Sequence, residues 1–290
     1  MKAKILLFVN CVFVAFVCLG CESSTDIAGG PVAEERVHVR AAWSPDGQTI
    51  AFLDLTAGKL GLYLVDTSGA NLRLLYPGDA IGVTWSPDNE WVAFSSLGNL
   101  YKIRVNGESK TQLTTIPGSI RPAWSQDGQR IAFLSGTTFV LNLQNNLEED
   151  MQFAGNYPSW HPNGVDLVVM EILRDAVGIG GLYRFRILNP GTRTVQTMHS
   201  FSSPEDCAFS SINAAGTEII YGAKPLNTYT QVWKVTLETQ QHIRLTEDGG
   251  DYPAWSPDGN KIVYTRTLLD DGGLWIMNAN GTGKRQLTSP

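Results

Sequence analysis

The sequence predicts an all-β protein: a six-bladed β-propeller of four-stranded antiparallel blades spanning residues 37–290. Three observations carry this. One turn-and-strand pattern recurs six times in register. Equivalent positions (Trp43, Trp85, Trp124, Trp160, Ile212 and Trp255) lie between 36 and 52 residues apart, which is the length of one blade. Each copy also carries an aromatic or apolar third strand at a matching distance.

The recurring turn reads Ala42-Trp43-Ser44-Pro45-Asp46-Gly47 and leads into Thr49-Ile50-Ala51-Phe52. It returns at Trp85-Ser86-Pro87-Asp88-Asn89, Trp124-Ser125-Gln126-Asp127-Gly128, Trp160-His161-Pro162-Asn163-Gly164 and Trp255-Ser256-Pro257-Asp258-Gly259. A degenerate fifth copy, Ile212-Asn213-Ala214-Ala215-Gly216, keeps the glycine and the strand after it. Tryptophan is expected to end an inner strand and fill the space between blades. Proline presets the turn, aspartate or asparagine caps it, and glycine supplies the unusual backbone angle. The caps Asp46, Asp88, Asp127 and Asp258, and His161 in the fourth turn, are therefore read as turn residues. Third strands follow at Leu62-Tyr63-Leu64, Leu100-Tyr101-Lys102, Phe139-Val140-Leu141, Leu182-Tyr183-Arg184, Val232-Trp233-Lys234 and Leu274-Trp275-Ile276. Hairpin turns are expected at Asp66–Gly69, Asn106-Gly107 and Asn280-Gly281. Fourth strands are expected at Arg244-Leu245-Thr246 and Arg285-Gln286-Leu287-Thr288. With all four strands of the sixth copy present, no strand exchange between the termini is expected. Residues 37–40 would extend the first strand or pair elsewhere.

These turns and strands resemble the repeat of the TolB propeller and its relatives across about residues 37–290. The resemblance implies a propeller that docks envelope proteins or peptides at its channel mouth. TolB also has a small α/β domain ahead of its propeller, and nothing of that kind fits residues 22–36. The expectation is therefore a TolB-like lipoprotein without that domain.

Lys2 and Lys4 precede an apolar run from Ile5 to Leu19 that is too short for a comfortable membrane span. It ends in Cys18-Leu19-Gly20-Cys21, which resembles the lipobox of bacterial lipoproteins. Residues 1–20 are read as a lipoprotein signal peptide, Cys21 as the lipidated residue, and residues 21–36 as a flexible tether reaching at most roughly 50 Å. The protein is expected to be exported to the cell envelope and lipid-anchored, on the periplasmic side of the outer membrane or at the cell surface. Cleavage before Cys21 would leave Cys207 as the other cysteine, which excludes a disulfide framework. Cys207 is read as a buried small apolar residue. The net charge of −6, with 28 acidic against 22 basic residues, disfavours nucleic acid as a partner.

The residue three before each motif position is expected just ahead of the inner strand, at the channel mouth. These residues are Arg40, Gly82, Arg121, Tyr157, Phe209 and Tyr252, with His38, Asn156, Glu205, Asp206 and Asp251 beside them. Arginine forks and tyrosines suit an acidic side chain, a carboxylate or a sugar. The candidate binding residues are Arg40, Arg121, Tyr157, Phe209, Asp251 and Tyr252. Irregular loops at Glu171–Gly181, Gly222–Gln231 and Thr265–Gly273 are expected to border the same face. No nucleophile elbow, zincin motif, phosphate loop or Cys-x-x-Cys pair occurs, and no hydrolase domain is expected after the sixth copy. Some oligogalacturonate lyases resemble this repeat and hold a metal through several channel histidines. Here His38, His161, His199 and His242 are far apart in sequence, and by register His38 alone falls near the channel. The expectation is a monomeric binding protein with no catalytic residue, metal or cofactor. Its partner would be an envelope protein or peptide, the alternative being a glycan-binding or metal-dependent lyase-like propeller.

Overall fold

In a propeller blade the second strand is covered on both faces, so it is apolar without alternation. Ile50-Ala51-Phe52-Leu53 shows why: Ile50 and Phe52 face one neighbouring blade, while Ala51 and Leu53 face the next strands of the core. The computed structural model describes residues 38–56, 58–174, 180–225, 228–266 and 272–288, residues 38 and 39 by their backbone alone.

Blade 1 comprises β1 (His38–Trp43), β2 (Thr49–Asp54), β3 (Gly61–Asp66) and β4 (Arg73–Pro77). Blade 2 comprises β5 (Ile81–Trp85), β6 (Trp91–Ser96), β7 (Asn99–Arg104) and β8 (Thr111–Gln112). Blade 3 follows with β9 (Ile120–Trp124), β10 (Arg130–Ser135), β11 (Thr137–Asn142) and β12 (Leu147–Asp150). Blade 4 is the longest, with β13 (Asn156–Trp160), β14 (Leu167–Arg174), β15 (Gly181–Leu188) and β16 (Val195–Ser203). Blade 5 has β17 (Asp206–Ile212), β18 (Glu218–Lys224), β19 (Gln231–Thr236) and β20 (Gln241–Arg244). Blade 6 has β21 (Asp251–Trp255), β22 (Lys261–Arg266), β23 (Gly273–Asn278) and β24 (Arg285–Gln286). Each blade is one antiparallel meander of consecutive strands, as the repeat predicts.

The apolar core is divided into one cluster per blade seam. Each buried Leu, Ile or Phe in a seam contributes about 1.5–3 kcal/mol, so the seams hold the blades together. The ring closes by the same packing. Trp43, Ile50 and Phe52 of blade 1 meet Val263, Leu274 and Leu287 of blade 6. Arg285 also donates to the carbonyl of Thr67 across this seam. Residues 38–40 extend the first strand, with His38 opposite Asp54, and no strand is exchanged between the two blades among the described residues.

The motif tryptophans do fill the seams, with an added rule. The indole N–H donates to the carbonyl of the residue just before the preceding blade's motif position: Trp43 to Ala254, Trp85 to Ala42 and Trp160 to Ala123. In each case that residue is alanine. Where it is Thr84 or Ser211, the bond is not made. Trp124 turns to Gly128 instead, and the Trp255 indole N–H is buried without a partner. In the turn itself, Ser44 Oγ donates to Asp46 Oδ1 (2.6 Å), and Asp46 accepts from the Gln48 amide (2.9 Å). Asn213 caps the degenerate copy by accepting from the Thr217 and Glu218 amides. His161 caps the fourth turn by accepting the Asn163 amide at Nδ1.

Two expectations are revised, while the hairpins at Gly69, Gly107 and Gly281 form where expected. Each glycine amide closes a turn on the carbonyl three residues before it, and the glycine itself takes positive φ (92°, 90° and 84°) as a bulge residue. The fourth strands stop at Arg244 and Gln286, short of the Leu-Thr pair. Thr246 and Thr288 instead use their hydroxyls to accept the amides that open the third strands, those of Val232 and Leu274. The insertion in blade 4 begins later than expected, because Glu171–Arg174 and Gly181 pair as regular strand. Residues 175–179, 226–227 and 267–271 of the three expected loops lie outside the described residues.

Candidate functional site: the channel mouth

Every inner strand breaks its ladder at the same place. The pairing of the first two strands shifts register between Val39 and Ala42, Ile81 and Val83, Asn156 and Ser159, Ala208 and Ser211, and Asp251 and Ala254, with the matching shift in blade 3. The residue in each bulge is the one three before the motif position, inside the strand rather than just ahead of it, and all six have positive φ: Arg40 54°, Gly82 73°, Arg121 56°, Tyr157 54°, Phe209 56° and Tyr252 49°. A bulge adds one residue to a strand and re-aims a side chain. Five of these residues carry a Cβ, and the left-handed backbone costs each about 1–2 kcal/mol. The six residues together line one cavity of about 150 Å³.

Charge and aromatic area are segregated around this ring. Tyr157 meets Phe209 edge-on at 5.0 Å, and Phe209 meets Tyr252 at 4.0 Å. Arg121 lies over Tyr157 at 4.2 Å, and Arg40 stands 5.8 Å from the Tyr252 ring. Gly82 separates the two arginines, and a Cβ there would come within 3.2 Å of the Arg121 backbone. Arg121 donates Nη1 to Asn156 Oδ1 at 3.0 Å, whereas Arg121 Nε and Arg40 Nη1 are buried without partners. Burial weakens the hold of Arg121 on its proton, and the charge of Arg40 weakens it further.

Asp251 stands beside this ring rather than in its lining. Burial pushes its carboxyl up to about 7, although it accepts the Tyr252 amide at 2.8 Å and senses Arg40 and Lys224. Burial, then the neighbouring Asp251, raise the Tyr252 phenol to about 12. Asp206 pairs with Arg174 at 2.9 Å across blades 5 and 4. Glu205 offers its backbone carbonyl to the Tyr183 hydroxyl, and burial raises its carboxyl. The structure therefore gathers Arg40, Gly82, Arg121, Tyr157, Phe209 and Tyr252 in one wall, with Asn156 and Asp251 against it. The side group of His38 and all of Cys21 lie outside the described residues. Cys207 is buried, and its thiol is pushed up to about 12 by desolvation, which makes it a poor nucleophile.

One cluster escaped the sequence reading. His199 and His242 bring their Nε2 atoms to 2.8 Å, and His242 Nδ1 meets the Tyr221 hydroxyl at 2.7 Å, between blades 4 and 5. The two histidines are 43 residues apart, one blade period, which is the signal that would have paired them. Among the described residues no group of three or more His, Cys, Asp or Glu is placed to hold a metal.

Residues 28–171 match the family model for the TolB beta propeller domain. An uncharacterized protein of Agrobacterium fabrum, Atu1656, is 27% identical over 148 residues, which are 42% of this chain and 50% of that protein. A TolB homologue from Chlorobium chlorochromatii is 34% identical over 104 residues, 34% of this chain and 24% of the homologue. The matches thus span half or less of these relatives. The crystal structure of TolB from Acinetobacter baumannii superposes with a TM-score of 0.65 at 19% identity, over 85% of this chain and 62% of that one. An oligogalacturonate lyase in complex with manganese superposes at 0.58 and 13% identity, over 86% and 76% of the two proteins. At these identities both superpositions speak to the fold alone. The family model, the TolB homologues and six four-stranded blades in register agree: the chain belongs to the TolB-like β-propeller family.

Proposed function

We propose that this protein is a membrane-tethered binding protein of the cell envelope that docks a protein or peptide partner at the channel mouth. Residues 1–20 act as the lipoprotein signal peptide, Cys21 carries the lipid, residues 21–36 serve as the tether, and the propeller from residue 37 presents the site. One observation supports the placement above the rest. All six inner strands bulge at the same position, at a backbone cost in five of them, and all six bulged residues line one cavity. Strain concentrated at one rim points to a working surface. The aromatic wall of Tyr157, Phe209 and Tyr252 supplies rigid contact area, and Arg40 and Arg121 supply directed donors.

The test uses the full-length protein in cells. A photo-cross-linking residue replaces Ser210, on the channel side, or Asp46, in a turn between first and second strands. A partner adduct is expected from position 210 and not from 46, and is lost when Arg40, Arg121, Tyr157 and Tyr252 become alanine. Adducts from position 46, or adducts indifferent to the alanine variant, would remove the site from the channel mouth. The tether is tested separately: Cys21→Ser should release the protein from the membrane fraction. The lyase alternative requires a divalent ion bound by channel ligands, so a saturable manganese site in a titration would turn the reading toward it.

A further inference from the structure

The channel cavity holds two guanidinium groups whose hydrogen-bonding capacity is incompletely used. Arg40 Nη1 and Arg121 Nε have no hydrogen-bond partner, although the two groups also engage Tyr252, Tyr157 and Asn156. A buried charged donor left unpaired costs more than a neutral one. The nearby acids do not meet this need. Asp206 is held by Arg174, and Asp251 accepts the Tyr252 amide. Gly82 lies between the two cations in the ring and adds no side chain to the cavity wall.

We propose that this cavity is a carboxylate receptor: it takes one carboxylate of a peptide, from its C-terminus or from an acidic residue, between Arg40 and Arg121. The planar guanidinium edge matches a carboxylate in shape and charge. A cavity of about 150 Å³ admits such a group and excludes a folded element. The adjoining Tyr157, Phe209 and Tyr252 rings take the apolar part of the same ligand residue. A doubly charged anion fits less well, because Asp251 stands beside Arg40 in the same field. The inference rests on the channel mouth being the binding face.

The experiment is calorimetric titration of the full-length protein in detergent with four probes: N-acetyl-Ala-Phe as the free acid, its C-terminal amide, N-acetyl-Asp-Phe-amide, and inorganic phosphate. Saturable binding of the free acid or of the aspartyl peptide is expected, and which of the two is tighter identifies the source of the carboxylate. The neutral amide should bind at least about tenfold more weakly. Arg40→Gln and Arg121→Gln should each reduce carboxylate binding at least about tenfold, with circular dichroism unchanged. Should a glutamine variant not fold, the corresponding lysine variant, which keeps the charge and loses the fork, is expected to weaken binding as well. Equal binding of the neutral amide, indifference to all the arginine variants, preference for phosphate, or no saturable binding of either carboxylate probe would overturn the inference. Competition separates the two readings. If the probes bind through the arginines but leave the partner cross-link at position 210 intact, the partner does not use this site. If the neutral amide abolishes the cross-link, the channel mouth stands and the carboxylate does not.

Discussion

Replacing Asp251 by asparagine should stabilise the protein, and more so as pH rises. The carboxyl is buried against Gly222, where an added Cβ would lie 2.9 Å from Oδ1, and burial pushes it up to about 7 from its ordinary 3.8. A carboxyl whose folded value is raised contributes stability that is fully present below its unfolded value and lost as pH rises through the folded one. The window therefore runs from 3.8 to about 7. At 1.36 kcal/mol per pH unit the cost reaches roughly 4 kcal/mol above that window, and roughly 2 kcal/mol near pH 5. Asparagine carries no charge to desolvate and keeps an oxygen to accept the Tyr252 amide. The advantage of Asp251→Asn should therefore be about 2–3 kcal/mol larger near pH 8.5 than near pH 5. Urea titrations of parent and variant at both pH values, followed by tryptophan fluorescence, read this difference. An advantage that does not change with pH, or a loss at the higher pH, would refute the argument that burial sets the Asp251 carboxyl.

Two further outcomes follow from the seams. Burial lowers the proton affinity of His199 and His242, and His199, at 2.8 Å, lowers that of His242 further. Their contribution is present above the ordinary histidine value of 6.5 and is lost as pH falls below it. The double change of His199 and His242 to phenylalanine should flatten the fall in the urea midpoint on acidification below that value, and an unchanged slope would count against it. Trp160→Phe removes a 2.9 Å bond to Ala123 and shrinks the ring beneath Arg130, whereas Trp255→Phe removes an indole N–H that has no partner. Thermal unfolding should show Trp160→Phe costing about 1–2 kcal/mol more than Trp255→Phe, and equal costs would contradict the alanine rule.

Much of the protein is written in local chemistry. A turn such as Trp-Ser-Pro-Asp-Gly specifies its own caps through contacts within six residues, and a run such as Ile-Ala-Phe specifies a strand covered on both sides. Six copies of both determine the number of blades, whereas how blade 1 closes on blade 6 was settled only by the packing of the assembled ring. The repeat register also placed Arg40, Arg121, Tyr157, Phe209 and Tyr252 at one level of the channel. The backbone at those positions was not legible. Arginine, tyrosine and phenylalanine show no preference for positive φ, and the bulge exists because pairing above and below it is held by the blade. The state of Asp251, the unpaired donors of Arg40 and Arg121, and the meeting of His199 with His242 all depend on what a neighbouring blade brings near. Only the tertiary structure decided them, since burial and distance between segments a blade apart are properties of the assembled ring.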